Sequence, residues 1–510
     1  MLNVSFENNP EIYTDIDSCM AYLRTVKPEQ HPWPEGMTTF HVYTEVKSPK
    51  ELMVIKSFLA TQDLNRCQLV VWSDISIETN PLIQSYRDYI TLKVWDPIEE
   101  AKGTPLEGYH DILSARDYLY WIQSDLLRLL ALYKYGGIWV DMDIIFLRDF
   151  RPILDQEFMY AWSADTDFAS NGACGSVLGL ERHSELAARL LEAVITTPYR
   201  EATTCWGRNI FAEVYRETPY SVLPCGFFNT EWISDDTTLE DQLFEKALEN
   251  NIHLFEDAFA WHWHNSSNKE QNVSQGSKFD RLEAMIHSKL EFKGIAEAET
   301  RMVNQFRHAT TLKEAGELEQ AAHSCEDIIS EAPEFSLAIA LLAEIQISQG
   351  QLERALQSYQ KALKSPFARV NYVINTLTLM RRIRSPEEVL AFAHREQERF
   401  CDHPQLQIDM GIIYEQVGDI DQAISSYERA MQLRGADSYP YLRLGLVYRQ
   451  LSQLPLAVEY LEIAFKVARS PTSLKPVILA LRLCYYELGN FQKALEIARH
   501  MPTETVARVA

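Results

Sequence analysis

The sequence predicts two domains of different fold class: an α/β domain with a largely parallel sheet over residues 1–298 and an all-α superhelix over residues 299–510. Three observations lead to this prediction. A chain of 510 residues exceeds the size of a single hydrophobic core. Strand-like and helix-like segments alternate in the first part, as is typical of a parallel sheet. After about residue 298 the pattern indicates helices that recur with a fixed period.

The first domain begins with short strands separated by helices. Runs rich in β-branched and aromatic residues predict strands at Thr38–Val46, Cys67–Asp74 and Ile90–Asp96, each followed by residues that favour turns. Helical periodicity predicts helices at about Pro49–Gln62 and Pro81–Tyr89. A fourth strand is expected from residue 138 onward, so the order of elements favours a parallel α/β sheet.

The segment Ser124–Phe146, SDLLRLLALYKYGGIWVDMDIIF, carries the strongest chemical signal. A helix with Asp125 and Arg128 on one face ends at a double glycine, and an apolar strand follows. That strand delivers Asp141 and Asp143, which point the same way if the strand stays extended. Carboxylates at the end of an apolar strand are costly to bury unless they meet a cation, and their oxygens suit Mg²⁺ or Mn²⁺. The segment therefore predicts a metal-dependent nucleotide site at the carboxyl edge of the sheet.

The pattern S-D-x-x-R-x-x-x-L-Y-x-x-G-G-x-W-x-D-x-D over Ser124–Asp143 resembles glycosyltransferase family 32. It is also similar to the catalytic domain of the large clostridial glucosylating toxins. The resemblance extends over roughly residues 35–290. It implies a GT-A fold, which is Rossmann-like, together with a UDP- or GDP-sugar donor, a divalent metal (Mn²⁺ or Mg²⁺) and transfer with retention of the anomeric configuration.

The resemblance also assigns roles to individual residues. Asp143 matches the residue that binds the metal directly, and Asp141 matches the one that binds ribose or sugar hydroxyls and can reach the metal. Asp125 and Arg128 match the pair that grips the donor sugar, so these four residues are the catalytic candidates. The alternative for Asp125 and Arg128 is an ordinary ion pair on a solvated helix face. The alternative for the two other aspartates is a turn at a strand end.

Three further residues are donor-binding candidates. Tyr43 stands where the family usually has a tryptophan that stacks on the nucleotide base; it can serve as a stacking ring or be a core tyrosine. Trp72 matches the family's second strand, with a core role as its alternative. Asn171 falls where the family has an Asn-rich loop that contacts the donor, and an ordinary turn is the alternative. The identity of the base stays open.

The resemblance to GT-A enzymes also implies a third protein ligand for the metal near the end of the first domain. His262 and His264 alternate along a predicted strand and therefore share a face. An imidazole suits Mn²⁺ better than Ca²⁺. The family usually has a Ser-Trp pair shortly after this histidine; here Ser267 matches, but Asn268 replaces the tryptophan.

The second domain has the signature of tetratricopeptide repeats. Ala321, Ala355, Ala423 and Ala457 are separated by 34, 68 and 34 residues, and glycines and aromatic residues recur beside them. We expect about six helix pairs, stacked into a superhelix with a concave surface. Such a surface would bind a protein or glycan acceptor or another partner, with a structural or dimerisation spacer as the alternative.

Composition and charge exclude several classes of function. The formal net charge of −24 argues against nucleic-acid partners and anionic membrane surfaces. The N-terminal segment does not resemble a signal peptide, and no apolar run is long enough to span a membrane. The 8 cysteines form no C-x-x-C motif, which is typical of reduced thiols. These features predict a cytoplasmic protein. Golgi members of the family that the sequence resembles carry a membrane anchor, so the resemblance without such a segment implies a bacterial enzyme.

Three functions compete at this point. The first is a glycosyltransferase whose repeats recruit the acceptor. The second is a repeat-based interaction scaffold with a degenerate catalytic domain. The intact set of four catalytic candidates argues against it, but the two missing tryptophans (at Tyr43 and Asn268) keep it open. The third is a metal-dependent nucleotidyl or phosphoryl transferase, which the lack of a G-x-x-x-x-G-K motif disfavours.

Overall fold

A computed structural model describes Leu2 and residues 4–117, 121–198, 205–233, 255–264, 273–295, 298–400, 403–433, 437–468 and 470–501. The chain folds into two compact units. The first comprises Met1–Gln349 with Lys364–Ala368, and the second Gly350–Leu363 with Arg369–Ala510. The first helices of the predicted repeat region therefore group with the α/β part, and a boundary at residue 298 stays a prediction from sequence.

Nine strands are found in the described part of the first unit. They are β1 (Thr38–Tyr43), β2 (Cys67–Ser73), β3 (Thr91–Val94), β4 (Gly137–Val140), β5 (Ile144–Phe146), β6 (Phe158–Ala161), β7 (Ala173–Leu180), β8 (Val222–Leu223) and β9 (Ala260–His262). Seven of them form one sheet in the order β3-β2-β1-β4-β7-β6-β8, and β5 pairs with β9 in a separate antiparallel ribbon. The first four strands in chain order are those that the sequence predicts, shortened at their ends.

The main sheet has a parallel half and a mixed half. Strands β1 to β4 are mutually parallel, as alternating strands and helices require. Strand β7 runs antiparallel to both β4 and β6, and β8 runs parallel to β6. Strand β6 therefore has the same direction as β4, and the carboxyl ends of β1, β4 and β6 meet at one edge. The predicted α/β class is confirmed, with a mixed rather than wholly parallel sheet.

Ten α-helices accompany these strands in the described residues. They are α1 (Pro10–Thr14), α2 (Ile16–Thr25), α3 (Met53–Thr61), α4 (Pro97–Ala101), α5 (His110–Leu113), α6 (Trp121–Tyr135), α7 (Phe168–Asn171), α8 (Glu185–Thr196), α9 (Ile210–Glu217) and α10 (Lys278–Phe292). The helix predicted at Pro81–Tyr89 is only a short 3₁₀ helix, Gln84–Tyr89. Helix α6 is buried along most of its length, as expected of an element that crosses the centre of the domain.

A cluster of phenylalanines holds β5 against the sheet. Phe40 of β1, Phe58 of α3, Phe146 of β5 and the following Phe150 are fully buried. Their ring centroids are 5.1 Å apart for Phe40–Phe58, 5.8 Å for Phe40–Phe146 and 4.8 Å for Phe146–Phe150. Edge-to-face packing of this kind stabilises a core beyond its buried area. The cluster fixes the strand that begins immediately after Asp143.

The turn between α6 and β4 depends on the double glycine. Gly136 and Gly137 have φ angles of +69° and +103°, which side-chain-bearing residues rarely adopt. A Cβ on Gly137 would also collide with the carbonyl oxygen of Thr39 in β1. The buried His41 completes the junction: Nδ1 accepts from Trp72 Nε1 at 3.2 Å, and Nε2 donates to the Gly136 carbonyl at 3.1 Å. Burial lowers the pKa of His41 to about 4, so its imidazole is neutral.

Twelve helices follow Ile295 in the part of the chain that the structure describes. They are α11 (Ala298–Glu314), α12 (Leu318–Glu331), α13 (Ser336–Ser348), α14 (Leu352–Ala362), α15 (Val370–Ile383), α16 (Pro386–Phe400), α17 (Pro404–Val417), α18 (Ile420–Leu433), α19 (Ser438–Gln450), α20 (Leu454–Val467), α21 (Pro471–Glu487) and α22 (Phe491–Ala498). The predicted all-α class of this region is confirmed. Among the described helices, none combines the length and the apolar character that crossing a bilayer requires.

Small residues at the repeated positions let the helices approach closely. The four alanines spaced by the repeat period are all fully buried. A Cβ on Gly411 would lie 2.5 Å from the ring of Tyr427, and one on Gly445 would collide with Leu461. Each glycine of one helix thus admits a large side chain of the next. The pattern found in the sequence is the packing pattern of the pairs α17–α18 and α19–α20.

A buried ion-pair network joins α11 to the α/β elements of the same unit. Glu283 of α10 pairs with Lys56 of α3 at 3.3 Å and with Arg307 of α11. Burial alone would raise the pKa of Glu283, but the two cations outweigh it and hold that pKa below its usual range. Phe335 and Leu337 also join the main hydrophobic core. The network explains why the first repeat helices group with the first unit.

Asp409 in α17 yields a prediction about the second unit. Its side chain is 6% exposed, with Arg381 Nη1 at 3.5 Å and Gln405 Nε2 at 3.4 Å. Burial outweighs both partners and raises the pKa of Asp409 to about 6. The pKa of Asp409 is therefore higher in the folded protein than the value of about 4 in the unfolded chain. The folded state gains stability as the pH falls from about 6 to about 4, and above about pH 6 the ionised carboxylate lowers the free energy of unfolding. We expect Asp409→Asn to stabilise the second unit at pH 8 by about 1–3 kcal/mol.

The measurement is denaturant unfolding of the full chain followed by far-UV circular dichroism at pH 8 and at pH 4.5. The gain from Asp409→Asn should shrink at the lower pH, because the wild-type carboxyl is then protonated. The exposed Asp421→Asn is the control, and surface substitutions of this kind usually change stability by under about 0.5 kcal/mol. A loss of stability at pH 8 in Asp409→Asn would contradict the sign of the shift.

Candidate functional site

The two aspartates of the D-x-D motif lie in a tight turn between β4 and β5. Strand β4 ends at Val140, and the Ile144 N–H donates to the Asp141 carbonyl at 3.1 Å. Both aspartates are therefore at the carboxyl end of β4, as the sequence indicates. The condition for both to point the same way, an extended strand, is not met, because a turn intervenes at residues 142–143. Their side chains consequently contact different partners.

Arg128 bridges helix α6 and this turn. Its Nη1 lies 3.1 Å from Asp125 Oδ1 and its Nη2 lies 3.0 Å from Asp141 Oδ1. The side chains of Arg128, Asp125 and Asp141 are 7%, 9% and 21% exposed, so the ion pair of α6 is present but is not on a solvated face. Trp139 Nε1 donates to the same oxygen of Asp141 at 2.7 Å. Only the Asp141 end of this chain of contacts is appreciably open to solvent.

The burial of these groups changes their titration. Burial raises the pKa of Asp125 to about 7, which Arg128 partly offsets and Asp141 and Asp117 reinforce. Burial alone would lower the pKa of Arg128, but Asp141 and Asp125 raise it above its ordinary value, so the guanidinium stays charged. A carboxyl that titrates near neutrality beside a fixed cation is typical of functional sites, although structural ion pairs also produce it.

Two glycines make this arrangement possible. A Cβ on Gly175 of β7 would collide with the guanidinium of Arg128. A Cβ on Gly207 would lie 3.3 Å from Asp125 Oδ2, closer than most such contacts. The arginine and the aspartate therefore occupy space that side chains on the neighbouring elements would otherwise fill.

His262 of β9 faces the second aspartate. Its Nε2 lies 3.3 Å from Asp143 Oδ2, and its Nδ1 lies 3.2 Å from the hydroxyl of Tyr160 in β6. Burial alone would lower the pKa of His262, but Asp143 outweighs it and the pKa is raised. The structure thus brings together Asp143 and a histidine that is 119 residues away in the sequence.

His264 lies against His262, and Asp143 also influences it electrostatically. The two ring centroids are 3.9 Å apart, so the two imidazoles lie together as predicted, although β9 ends at His262 and His264 has a φ of +53°. His264 Nε2 is 3.2 Å from Asn229 Oδ1, and the Trp232 ring stacks on the imidazole at 4.4 Å. Burial and the neighbouring His262 lower the pKa of His264 to about 2, so it is neutral. Ser267 and Asn268 lie outside the described residues.

The three further donor candidates stand on β1, β2 and α7, outside the acidic turn. Trp72 is fully buried beside His41, Trp95 and Lys93, so we place it in the core. Tyr43 ends β1 opposite Trp72 and is 9% exposed. Asn171 ends α7; its Oδ1 accepts from Arg208 at 3.1 Å, and its amide donates to Asp165. Their roles as donor ligands remain predictions.

Sequence reasoning did not select several residues of the site. Trp139 stands inside the W-x-D-x-D motif, two residues before Asp141, and that spacing was a usable signal. Tyr160 anchors His262, but nothing in the run FMYA distinguishes it from a core tyrosine. Arg208 and Trp232 contact Asn171 and His264, and no local pattern indicates either of them.

The donor set fits a divalent metal that shares its coordination with a ligand. Among the described residues, no group of three or more His, Cys, Asp or Glu side chains is arranged to hold a metal ion by itself. Mg²⁺, however, is commonly bound by one or two carboxylates together with substrate phosphates and water. The turn offers such carboxylates in Asp141 and Asp143, with the His262 imidazole adjacent. Three carboxylates face one guanidinium and one imidazole, so a diphosphate here would need a further cation.

The fold and this cluster define the class: an α/β domain with an acidic pair at the end of its central strand, supported by a buried arginine and continued by helical repeats. Residues 49–160 match the family model described as "Glycosyltransferase sugar-binding region containing DXD motif". Residues 312–367 and 408–438 match models described as "Tetratricopeptide repeat". The chain therefore contains a DXD-type glycosyltransferase sugar-binding region and tetratricopeptide repeats, and the resemblance found in the sequence is confirmed.

Individual relatives cover smaller parts of the chain. Human alpha-1,4-N-acetylglucosaminyltransferase is 36% identical over 76 residues, which is 14% of this chain and 21% of the relative. Mouse aspartyl/asparaginyl beta-hydroxylase is 26% identical over 167 residues, or 30% of this chain and 22% of the relative. The chain thus spans about a fifth of the length of these relatives. The crystal structure of PilW, a type IV pilus biogenesis factor, is 19% identical with a TM-score of 0.33 and covers 40% of this chain and 92% of PilW.

Proposed function

We propose that this protein is a metal-dependent, retaining glycosyltransferase that moves a sugar from a UDP- or GDP-sugar to a protein or glycan acceptor. The observation that carries the proposal is the pair Asp141 and Asp143 in the turn after β4, with Arg128 and Asp125 buried directly behind it. The match of residues 49–160 to a sugar-binding family supports the same reaction class. A nucleotide-sugar site at the carboxyl edge of an α/β sheet agrees with the general rule for such folds.

In this proposal each residue has a separate task. Asp143, with Asp141 and His262, holds Mn²⁺ or Mg²⁺; when bound, the metal supplies Lewis-acid stabilisation of the diphosphate leaving group. Arg128 and Asp125 orient the hydroxyls of the donor sugar. The guanidinium can donate hydrogen bonds to these hydroxyls and the carboxylate can accept them, and burial fixes both groups in one geometry. Trp139 fixes the orientation of Asp141, and Tyr160 fixes that of His262.

The repeats would bring a protein partner or the acceptor to the enzyme. Stacked helix pairs usually present an extended concave binding surface. Partner recruitment therefore remains our proposal for the repeats, and a structural spacer is its alternative. We also propose a bacterial enzyme of the cytoplasm. No disulfide joins the cysteines of the described residues, which are buried, and burial raises the thiol pKa of Cys19 and Cys67 to about 12, so those two thiols are unreactive.

A second candidate is a repeat-based scaffold with a degenerate catalytic domain. The specific observation in its favour is Tyr43, which replaces the expected base-stacking tryptophan and is mostly buried. The intact set of Asp125, Arg128, Asp141 and Asp143 argues for the enzyme. The two candidates differ in donor binding and turnover, which can be measured directly.

The test is a thermal-shift and hydrolysis screen of the full chain with UDP-glucose, UDP-galactose, UDP-N-acetylglucosamine and GDP-mannose, with and without Mn²⁺. We expect one donor to stabilise the protein only when Mn²⁺ is present, because a ligand that binds the native state raises its stability with occupancy. The same donor should be slowly hydrolysed. Stabilisation without hydrolysis would favour the scaffold, and neither effect with any donor would overturn the proposal.

A further inference from the structure

Two tryptophans stand at the same sheet edge as the D-x-D turn. Trp162 follows β6 directly, and β6 runs in the same direction as β4 because both are antiparallel to β7. Val140 at the end of β4 pairs with Val177 of β7, whereas Ala161 at the end of β6 pairs with Ala173, so β6 extends further along β7 and the two strand ends are roughly 16 Å apart. Trp232 packs against Trp162 with ring centroids 5.2 Å apart and ring planes at 72°. We call Trp162 and Trp232 the tryptophan pair.

An unbroken row of rings connects the tryptophan pair to the acidic turn. The Trp232 ring stacks on His264 with an angle of 16° between the planes, and His264 lies against His262. His262 in turn contacts Asp143. The pair therefore adjoins the proposed metal-binding residues, and the His264 ring lies between the tryptophans and His262.

Polar groups border the other side of the pair. The guanidinium of Arg208 lies 6.0 Å from the ring centroid of Trp162, and its Nη2 donates to Asn171 Oδ1. The preceding Gly207 lies against Asp125. Arg208 and Asn171 thus lie between Trp162 and the Asp125–Arg128 pair. They provide hydrogen-bonding groups at the edge of the aromatic surface.

The tryptophan pair differs from most tryptophans of the domain in its exposure. Trp72, Trp139, Trp206, Trp261 and Trp263 are almost completely buried. Trp162 and Trp232 are only partly buried. A partly exposed aromatic pair bordered by a few polar groups suits a ring with one apolar face and hydroxyls at its edge. A saccharide ring has this character.

Topology places this surface on the side away from the expected nucleotide. In the sheet, β2 lies next to β1 and β3 lies next to β2, whereas β4 lies on the opposite side of β1. The order therefore reverses between β1 and β4, and open α/β sheets bind nucleotides at such a reversal. Tyr43 lies on the β1 side of the acidic turn, whereas the tryptophan pair lies two strands beyond β4 on the β6 side.

We propose that the tryptophan pair, with Arg208 at its border, is the acceptor site and stacks on the ring of a saccharide; Asn171, predicted from the sequence as a donor ligand, then serves to hold Arg208 in place. The proposal rests on the function proposed above and deepens it. The catalytic unit itself then recognises the acceptor as a glycan, and the repeats recruit whatever carries that glycan. The nucleotide base remains on the opposite side of Asp143.

The test compares Trp162→Ala, Trp232→Ala and Trp232→Phe in the full chain. The donor is the one hydrolysed fastest in the screen, and the acceptors are p-nitrophenyl glycosides of glucose, galactose, mannose and N-acetylglucosamine. We expect both alanine variants to raise the KM for the best acceptor at least tenfold, and by more than they raise the KM for the donor. Trp232→Phe keeps a stacking face and should restore most of the affinity.

Trp33→Ala is the matched control. Trp33 is also partly buried and also lies beside a guanidinium, that of Arg151 at 5.0 Å, but it has no contact with the row of rings in the described residues. It should leave the acceptor KM unchanged. Far-UV circular dichroism and thermal unfolding of every variant report whether a defect is merely a loss of fold.

The outcomes separate the two proposals. An increase in the donor KM equal to that in the acceptor KM would assign the pair to the donor and overturn the acceptor site. Unchanged acceptor kinetics, or no acceptor among the glycosides, would also overturn it. If no donor is hydrolysed, the proposed reaction fails, but saccharide binding measured by isothermal titration still decides the site. Binding that is lost in Trp162→Ala and Trp232→Ala supports it, and no binding by the wild type refutes it.

Discussion

Asp143→Asn is expected to reduce glycosyl transfer roughly 10³-fold while leaving the fold intact. The carboxylate is the member of the acidic turn that faces His262, at 3.3 Å, and it directly precedes β5, which the phenylalanine cluster fixes. A Lewis acid contributes several kcal/mol to charge stabilisation in the transition state, and each 1.36 kcal/mol is a factor of ten. Asparagine keeps the size of the side chain and removes the charge that would hold the cation.

The measurement is donor turnover over a range of Mn²⁺ concentrations, with far-UV circular dichroism as the check on folding. Excess Mn²⁺ should not restore the wild-type rate, since the amide oxygen is a weaker ligand than a carboxylate. Asp111→Asn is the matched control, because Asp111 is an exposed aspartate of the same unit. Turnover of Asp143→Asn within tenfold of the wild type would show that this carboxylate does not hold a required metal.

Local sequence patterns were sufficient to predict the parts of the site that lie on consecutive elements. The i, i+3 spacing placed Asp125 and Arg128 on one helix face, and the double glycine fixed the turn that leads into β4. The order of strands then brought the D-x-D motif to the carboxyl edge. Each of these inferences depends on backbone geometry within about twenty residues, which a single sequence specifies well.

Contacts between segments that are distant in the sequence cannot be predicted from such local patterns. Nothing local shows that Arg128 contacts Asp141 as well as Asp125, because that contact depends on the tight turn at residues 141–143. The sequence indicates His262 and His264 as metal-ligand candidates, but the position of His262 beside Asp143 follows from the pairing of β9 with β5. Buried pairs such as Lys278–Glu231 have no signal at all in the sequence, since each charge resembles a surface residue until its partner is known.

The repeat region shows the same limit. The 34-residue period predicted the helices and the buried alanines, because each repeat imposes the same packing on its neighbour. The grouping of the first repeat helices with the α/β unit depends on Glu283 and Arg307, which the period does not involve. A repeating pattern therefore indicates how repeats contact one another, and it gives no information about the element that precedes the first of them.

Arg128→Met should have the largest effect on stability. The guanidinium is buried between Asp125 and Asp141, so its removal leaves two carboxylates without their shared cation. Breaking a buried ion pair from one side costs about 3–5 kcal/mol. All 10 tryptophans of the chain lie between residues 33 and 263, so tryptophan fluorescence during urea unfolding reports on the first unit alone. Arg189→Met is the control: it removes an exposed i, i+4 pair with Glu185 and should change the stability far less, because solvent screens such pairs.

A second substitution distinguishes the structural role of Arg128 from its functional role. Asp125→Asn in the Arg128→Met background removes a buried charge that has lost its partner, so it should restore at least about 1 kcal/mol of the lost stability. Transfer should not recover, because the guanidinium that orients the donor sugar is still missing. If the change in unfolding free energy of the double variant equals the sum of the changes in the two single variants, Asp125 and Arg128 do not interact. Recovery of transfer together with stability would mean that Arg128 supports the fold and does not contact the donor.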